Sequence, residues 1–397
     1  MTKRTLQVLI ALALVTGTSF GAVERVVKFQ NNLRVGYDDN IYSSPDKVES
    51  VYIADIINLS AKLNFSTRTD ALLYWEPEFR YRFDAEPKFI TYQTLYARLN
   101  HALSQRVFLT ISDRFRYQQK EGQSGPALDD FNQNYIENDL MGALDIALDE
   151  KSFIGVGAGY EFRIWDDSDY GEWNNGTGGG NNYDKVKGDL SYNRDLKPNK
   201  TTVMGGLNGN TLTYDGSRGG YDTIALLVGV DQNFTPTLNG FGRVGYQFSS
   251  IDTVGTSDDT SAPYLQAGLE AQPSARTSIT GSLGYSLSRS DNTVYNAQDR
   301  FNVGVGASHD ITAKISLSGS FSYIFSNYDS KYANNPAAPD AKDNYFTLGA
   351  RGSYQVNRNN FVELGYLFRT RSVSADGGGS LSDWDGNRVD LSWRLRL

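Results

Sequence analysis

The feature that most narrows the fold is a two-residue rhythm. Along most of the chain, apolar and polar side chains alternate in segments of roughly ten residues or more, the period of a β-strand whose successive side chains face opposite sides. Ala71, Leu73, Trp75, Phe79, Tyr81 and Phe83 share one phase, with Pro77 intruding. Val107, Leu109, Ile111, Phe115 and Tyr117 share another, as do Ile154, Val156, Ala158, Tyr160, Phe162 and Ile164. The last ten residues, RVDLSWRLRL, set Val389, Leu391, Trp393, Leu395 and Leu397 against Arg388, Asp390, Ser392, Arg394 and Arg396. About eighteen such segments can be marked off, within a range of roughly 16–20, each long enough to cross a bilayer with tilt.

The connections sort by length. STRTD, DEK, LKPN, FTPT, QPSA, HDIT and NRNN follow even-numbered segments and carry tight-turn chemistry. Odd-numbered segments lead mostly into longer stretches: SSPDKVES, QKEGQSGPALDDFNQ, DDSDYGEWNNGTGGGNN, DTVGTSDDTSA, SNYDSKYANNPAAPDAKD and SVSADGGGSLSDWDGN. Short turns at one end and long loops at the other are the asymmetry of bacterial outer-membrane barrels. Aromatic pairs also recur just before the long loops: Tyr81/Phe83, Phe115/Tyr117, Tyr160/Phe162, Tyr246/Phe248, Tyr323/Phe325 and Tyr366/Phe368. At one height around a barrel they make a girdle at the membrane–water interface. The expected fold is therefore all-β, a single transmembrane antiparallel up-and-down barrel with lipid outside and water inside.

The ends and the composition agree. MTKRTLQVLIALALVTGTSFGA has the basic start, short apolar run and small-residue tail of a secretory signal peptide, with cleavage expected after Gly21 and a barrel domain over 22–397. Removing Lys3 and Arg4 from the 38 basic residues leaves 36 against 46 acidic ones, a charge of −10. That balance argues against nucleic acid, which needs a basic surface. With no cysteine, disulfides and thiolate metal sites are excluded. The 39 glycines and 13% aromatics suit many short strands. No segment beyond the leader approaches the ~18 uninterrupted apolar residues of a membrane helix.

NLRVGYDDNIYSS, residues 32–44, resembles the opening of the β-barrel porin family labelled type 2, whose chains begin with a strand ending in a Gly-Tyr-Asp-Asp-Asn turn; Gly36, Tyr37, Asp38, Asp39 and Asn40 match it. The resemblance implies a Gram-negative outer-membrane barrel, with members sometimes encoded beside exopolysaccharide genes. Read from the residues alone, Tyr37 ends the apolar phase at the interface and Asp38–Asn40 begin a solvated turn. Barrels of this kind generally end in a closing strand that the insertion machinery reads, usually with an aromatic last residue; Leu397 departs from that.

Catalytic chemistry finds little support. The two histidines, His101 and His309, close downward strands and so belong at the short-turn, periplasmic end, away from where a Ser-His-Asp site would be built. Asp258/Asp259 and Asp166/Asp167 read as loop residues, and Asp167, Asp169 and Gly171 have calcium-loop spacing without the later glutamate. No cofactor and no metal are expected.

The inward phase is more informative. Candidate lining residues are Arg80, Arg82, Arg98, Arg114, Arg116, Arg163, Lys185, Lys187, Arg243, Arg351, Arg369, Arg371, Arg394 and Arg396, set against Glu76, Glu78, Glu161, Asp189, Glu270, Glu363 and Asp390. Bases exceed acids there by about two to one, and rings of Arg and Lys favour anions in a pore. In the third long loop, Asp129 and Asp130 could face Arg114 and Arg116 across a constriction. The leading expectation is a porin-like channel for small hydrophilic solutes, with a preference for anions. Two alternatives stay open: a barrel that binds or exports polysaccharide, with Tyr92 and Tyr96 as stacking aromatics, and a purely structural barrel braced by internal ion pairs. Outer-membrane lipid, lipopolysaccharide and the insertion machinery are the expected partners, with polysaccharide added under the second reading.

Overall fold

A computed structural model of the protein describes residues 24–118, 135–165, 182–215, 219–253, 256–290, 295–333, 338–375 and 382–397. The segment expected to be a signal peptide, Asp129, Asp130 and the stretch with Asp166, Asp167, Asp169 and Gly171 lie outside them. The described strands, in chain order, are β1 (Glu24–Asp38), β2 (Ser50–Ser66), β3 (Thr69–Arg82), β4 (Phe89–Ala102), β5 (Val107–Gln118), β6 (Tyr135–Ala147), β7 (Ser152–Trp165), β8 (Tyr183–Lys197) and β9 (Thr201–Tyr214). They continue with β10 (Tyr221–Thr235), β11 (Leu238–Thr253), β12 (Thr256–Ser274), β13 (Thr277–Arg289), β14 (Ala297–Asp310), β15 (Ile315–Tyr328), β16 (Ala341–Gln355), β17 (Asn360–Ala375) and β18 (Trp384–Arg396). Each pairs antiparallel with its sequence neighbours, and β1 also pairs with β18, so the 18-stranded sheet closes on itself. Eighteen strands about 4.8 Å apart and tilted about 40° give a ring roughly 35 Å across.

Side-chain phase explains why the sheet closes this way. Val107 and Tyr117 bound the outward face of β5, and ten steps of about 3.3 Å at that tilt rise about 25 Å, the height of a barrel's apolar band. Around the wall the outward positions are large and solvent-facing, among them Val228, Leu364, Leu391 and Trp393. Water would penalise this skin, and hydrocarbon removes the penalty. The predicted girdle pairs occupy the outward face toward the long-loop end. Tyr81/Phe83, Tyr160/Phe162 and Tyr246/Phe248 are in ring contact. Hydroxyls point to polar neighbours: Tyr323 to Asn344 at 2.7 Å, Tyr366 to Asn387 at 2.8 Å, Tyr160 to Asp184, while Tyr246 accepts from Ser261 at 3.3 Å. Phe115, Tyr117, Phe325 and Phe368 lie half-buried on the same face.

The short-turn end matches expectation at the seven turns marked in the sequence, and an eighth, 103–106 between β4 and β5, joins them; each has two to four residues. At the opposite end the expectation needs correction. The stretch expected as the loop DTVGTSDDTSA is strand over 252–253 and 256–262: β11 and β12 stay paired from Leu238↔Ala271 to Thr253↔Thr256, so Asp258 and Asp259 are strand residues. The placing of Phe248 is corrected with it. Expected just before a long loop, Phe248 instead lies inside the β11–β12 ladder, opposite Ser261 and five residues short of the end of β11 at Thr253. With a small serine as its cross-strand partner, the Phe248 ring is 49% exposed, and Tyr246, 5.4 Å away, is the aromatic ring it meets edge-on. Only residues 83–88 separate β3 from β4, and 215–220 separate β9 from β10.

One sector of the outer wall breaks the apolar rule. On the outward phase of β1 and β2, Asn31 donates to Asp55 at 2.5 Å, and on β5 and β6 Asn138 donates to Asp113 at 2.6 Å. Asp113 sits four residues below Tyr117, about 10 Å beneath the girdle and close to mid-membrane. Each carboxylate meets an amide there, so neither enters hydrocarbon unsatisfied.

The short turns also repeat. Thr69 pairs with His101 Nδ1 at 2.8 Å, and 208 positions later Thr277 pairs with His309 Nδ1 at 2.9 Å. Ser104 accepts from the amides of Arg106 and Val107 just as Thr312 accepts from those of Lys314 and Ile315. Ala102 N to Arg68 O recurs as Asp310 N to Arg276 O, and Asp195 N to Lys151 O as Arg396 N to Asn359 O. Sequence follows: Arg34-Val35-Gly36-Tyr37 against Arg243-Val244-Gly245-Tyr246, and Asp189-Leu190-Ser191-Tyr192 against Asp390-Leu391-Ser392-Trp393. Strands β1–β8 thus correspond to β11–β18, with β9 and β10 between them.

Candidate functional site

The interior changes character along its axis. Toward the long-loop end, inward side chains pack on one another: Tyr183, Leu212, Tyr214, Tyr221 and Ile251 form one buried cluster, and Ile324, Tyr345 and Trp384 another. Toward the short-turn end, Thr280, Ser282, Ser308, Ser318 and Ser320 of β13–β15 are exposed. Small hydroxyl residues leave space where large aromatics fill it, so the described interior is wide below and narrow above.

The Gly-Tyr-Asp-Asp-Asn turn clasps the seam where the barrel closes. Asp38 is 2% exposed and takes Arg369, itself 1% exposed, at 2.9 and 2.8 Å through both carboxylate oxygens. Asp39 accepts the backbone N–H and side-chain amide of Asn387 on β18 at 2.6 and 2.8 Å. Asn40 donates to Ser44 O and Asp385 O, both at 2.8 Å, and accepts from Ser44 N. A Cβ on Gly36 would stand 2.5 Å from the ring of Tyr52, so glycine is what lets that ring lie against β1. Tyr37 faces outward and donates to Glu49. Lys47 meets Asp385 at 2.5 Å, and that hydrogen bond holds its ammonium above the usual lysine value. The expected solvated turn is therefore corrected at Asp38 and Asn40, which are buried and bonded across to β17 and β18.

The predicted lining residues fall largely into ion-paired groups. Arg80 pairs with Glu78 and lies 4.8 Å over Tyr52 and 5.7 Å over Tyr92, while Arg82 lies 5.7 Å over Tyr42. On β5–β8, Glu137 takes Arg163 at 2.6 Å and also Arg116; Asp139 takes Arg114 at 3.1 Å and Lys187 at 2.6 Å; Glu161 takes Lys187 at 3.0 Å and Tyr183 at 2.8 Å. Arg243 grips Asp231 at 2.7 and 2.8 Å. Near the seam, Asp390 receives Arg351 at 3.1 Å and Arg34 at 3.4 Å, Glu363 receives Arg394 at 2.6 Å, and Asp343 receives Arg371 at 3.0 Å. Glu76 accepts from Tyr74 at 2.6 Å and Asn58 at 3.0 Å. Arg98 and Arg396 are exposed and have no ion pair among the described residues. The acids Glu137, Asp139 and Asp343 were missed in the sequence, and Asp38 was read there as a turn residue rather than a lining one, although each sits on the inward phase of its strand. With them included, much of the basic excess is neutralised locally.

His101 and His309 lie at the short-turn end as expected, each hydrogen-bonded to a threonine, and the described residues contain no cluster of three or more metal-ligating side chains.

A family model described as Putative beta-barrel porin 2 matches residues 178–397. The chain belongs to that family. It is a porin-like barrel of the bacterial outer membrane. No curated protein matches it. Among solved structures, this porin-like barrel is similar to OccK2 of Pseudomonas aeruginosa at 10% identity, covering 94% of this chain and 98% of that one, TM-score 0.48. Pseudomonas aeruginosa OccK1 aligns at 13% identity over 94% and 99%, TM-score 0.47. The FrpB iron transporter of Neisseria meningitidis aligns at 11% identity over 93% and 81%, TM-score 0.47.

Proposed function

We propose that this protein passes small hydrophilic solutes, anions preferentially, down their gradients across the outer membrane of a Gram-negative bacterium. The carrying observation is the polar, arginine-rich interior of a closed 18-stranded wall, a strand number at which a barrel leaves an aqueous lumen. The mechanism needs no turnover. Paired groups such as Asp139, Arg114 and Lys187 fix the wall, and cations in excess of their partners bias passage toward anions. The packed long-loop end sets the size limit. We assign residues 1–21 to a removed signal peptide and the β18 ladder to recognition by the insertion machinery.

Planar-bilayer recording tests the reading. Stable open events in potassium chloride, with a reversal potential shifted toward chloride under a salt gradient, are expected. Silence of properly folded protein, or clear cation preference, overturns it.

A further inference from the structure

A second concentration of charge, all but Arg394 outside the paired network, lies at the periplasmic mouth. A cavity of about 440 Å³ opens between the short turns that precede β13, β15 and β17 and the end of β18. Arg276, Lys314, Arg358, Arg394 and Arg396 line it, with Asp310 as the one acid among its lining residues. The guanidiniums of Arg394 and Arg396 lie 4.4 and 5.5 Å over the ring of Phe361, and Glu363 holds Arg394 there at 2.6 Å. Arg276, Lys314, Arg358 and Arg396 have no ion pair among the described residues. Thr312, Ser316, Ser353 and Gln355 add neutral polar groups to the lining.

The repeated turns supply an internal control. The same backbone hydrogen bonds place Arg68, Arg106, Glu150, Asn193 and Asp195 in the other copy where Arg276, Lys314, Arg358, Arg394 and Arg396 stand in this one. Two cations and two acids cancel in the first set; all five members of the second are basic. Turn chemistry alone would make both copies alike. The difference singles out one mouth for negative charge, with stacked, planar guanidiniums suited to oxyanions.

We propose that this cavity is a binding site for a small polyvalent anion bearing carboxylate or phosphate groups, captured from the periplasmic side. It deepens the reading of the barrel as an anion-preferring path and rests on that reading for its biological use, while binding itself does not require an open pore.

Titration calorimetry on the full-length protein in detergent micelles, with citrate and with inorganic phosphate as probes, measures the site directly. Wild type is expected to bind citrate saturably and more tightly than phosphate. Lys314→Glu combined with Arg358→Glu is expected to weaken citrate at least roughly tenfold, since each reversal turns an attraction within a few ångströms into a repulsion. Arg68→Glu combined with Arg106→Glu, in the β2–β3 and β4–β5 turns outside the cavity lining, is expected to leave affinity within about twofold. All four positions lie in turns, and retained heat-modifiable gel mobility shows that each variant is folded; Arg358→Gln, expected to cost about threefold, serves if the double variant does not fold. No saturable citrate binding by wild type, or equal losses from the two double variants, overturns the proposal. A silent channel that still binds citrate sinks the conduction reading and leaves this site standing.

Discussion

Replacing Asp38 with asparagine keeps the shape of the seam clasp and removes its charge. Asp38 and Arg369 are 2% and 1% exposed, and the arginine donates to both carboxylate oxygens at 2.9 and 2.8 Å. The same carboxylate accepts the Asn40 amide at 3.1 Å. A guanidinium stranded at such a site loses the partner that offset its desolvation, a change of about 3–5 kcal/mol. At about 1.4 kcal/mol per power of ten, the unfolding equilibrium should move by roughly two to four powers of ten. Urea unfolding of barrels refolded into phospholipid vesicles measures it, and Trp384 and Trp393 on β18 place fluorophores beside the seam. Asp38→Leu with Arg369→Met removes both charges together and should recover much of the loss. A single-variant cost under about 1 kcal/mol, or a double variant no more stable than Asp38→Asn, would refute the reading of the pair as a stabilising tie at the seam.

Two further outcomes follow from the wall and the loops. Asp113→Leu with Asn138→Leu should stabilise the barrel in vesicles by about 1 kcal/mol or more, because a polar pair near mid-membrane gives way to apolar surface; a loss in the same urea titration would count against lipid contact at that sector. In the β15–β16 connection, Asp340 accepts the Ser330 N–H at 2.7 Å, which holds its carboxyl below the ordinary 3.8. A depressed carboxyl stabilises where it is ionised, so the contribution is present above about pH 4 and is lost as pH falls through the lower folded value. Amide exchange at Ser330 followed by NMR should show the protection factor, taken relative to the intrinsic rate at each pH, falling over that acidic range in wild type, and Asp340→Asn should give a low protection factor that does not change with pH.

Much of the wall was legible because hydrocarbon imposes it. Every crossing strand must turn one phase outward, so Val107–Tyr117 or Val389–Leu397 reveals its face from residue type alone. The signal fades where lipid ends. The polar tip of β11 and β12, with Asp258 and Asp259, is wet on both faces, so no alternation marks it even though backbone pairing continues to Thr253↔Thr256. That is also why Phe248 reads in the sequence as the last residue before a loop: the apolar phase stops there while the ladder does not. Partnerships inside the barrel were hidden for a different reason. Phase says that Glu137 and Arg163 point inward, but their meeting depends on the β6–β7 register, which neither strand encodes alone. Asp38 was harder still: an aspartate after tyrosine and before Asp-Asn has turn composition, and only the closure of β1 onto β18 brings Arg369 within reach.

The recurrence of the turns ten strands apart bears on how such a ring acquires its girth. Because the bonds that set Thr69 against His101 also set Thr277 against His309, the one pair of strands between the two copies, β9 and β10, enlarges the circumference without disturbing either. Size in this architecture then behaves as a countable quantity, altered two strands at a time, while the termini find each other across whatever gap is left.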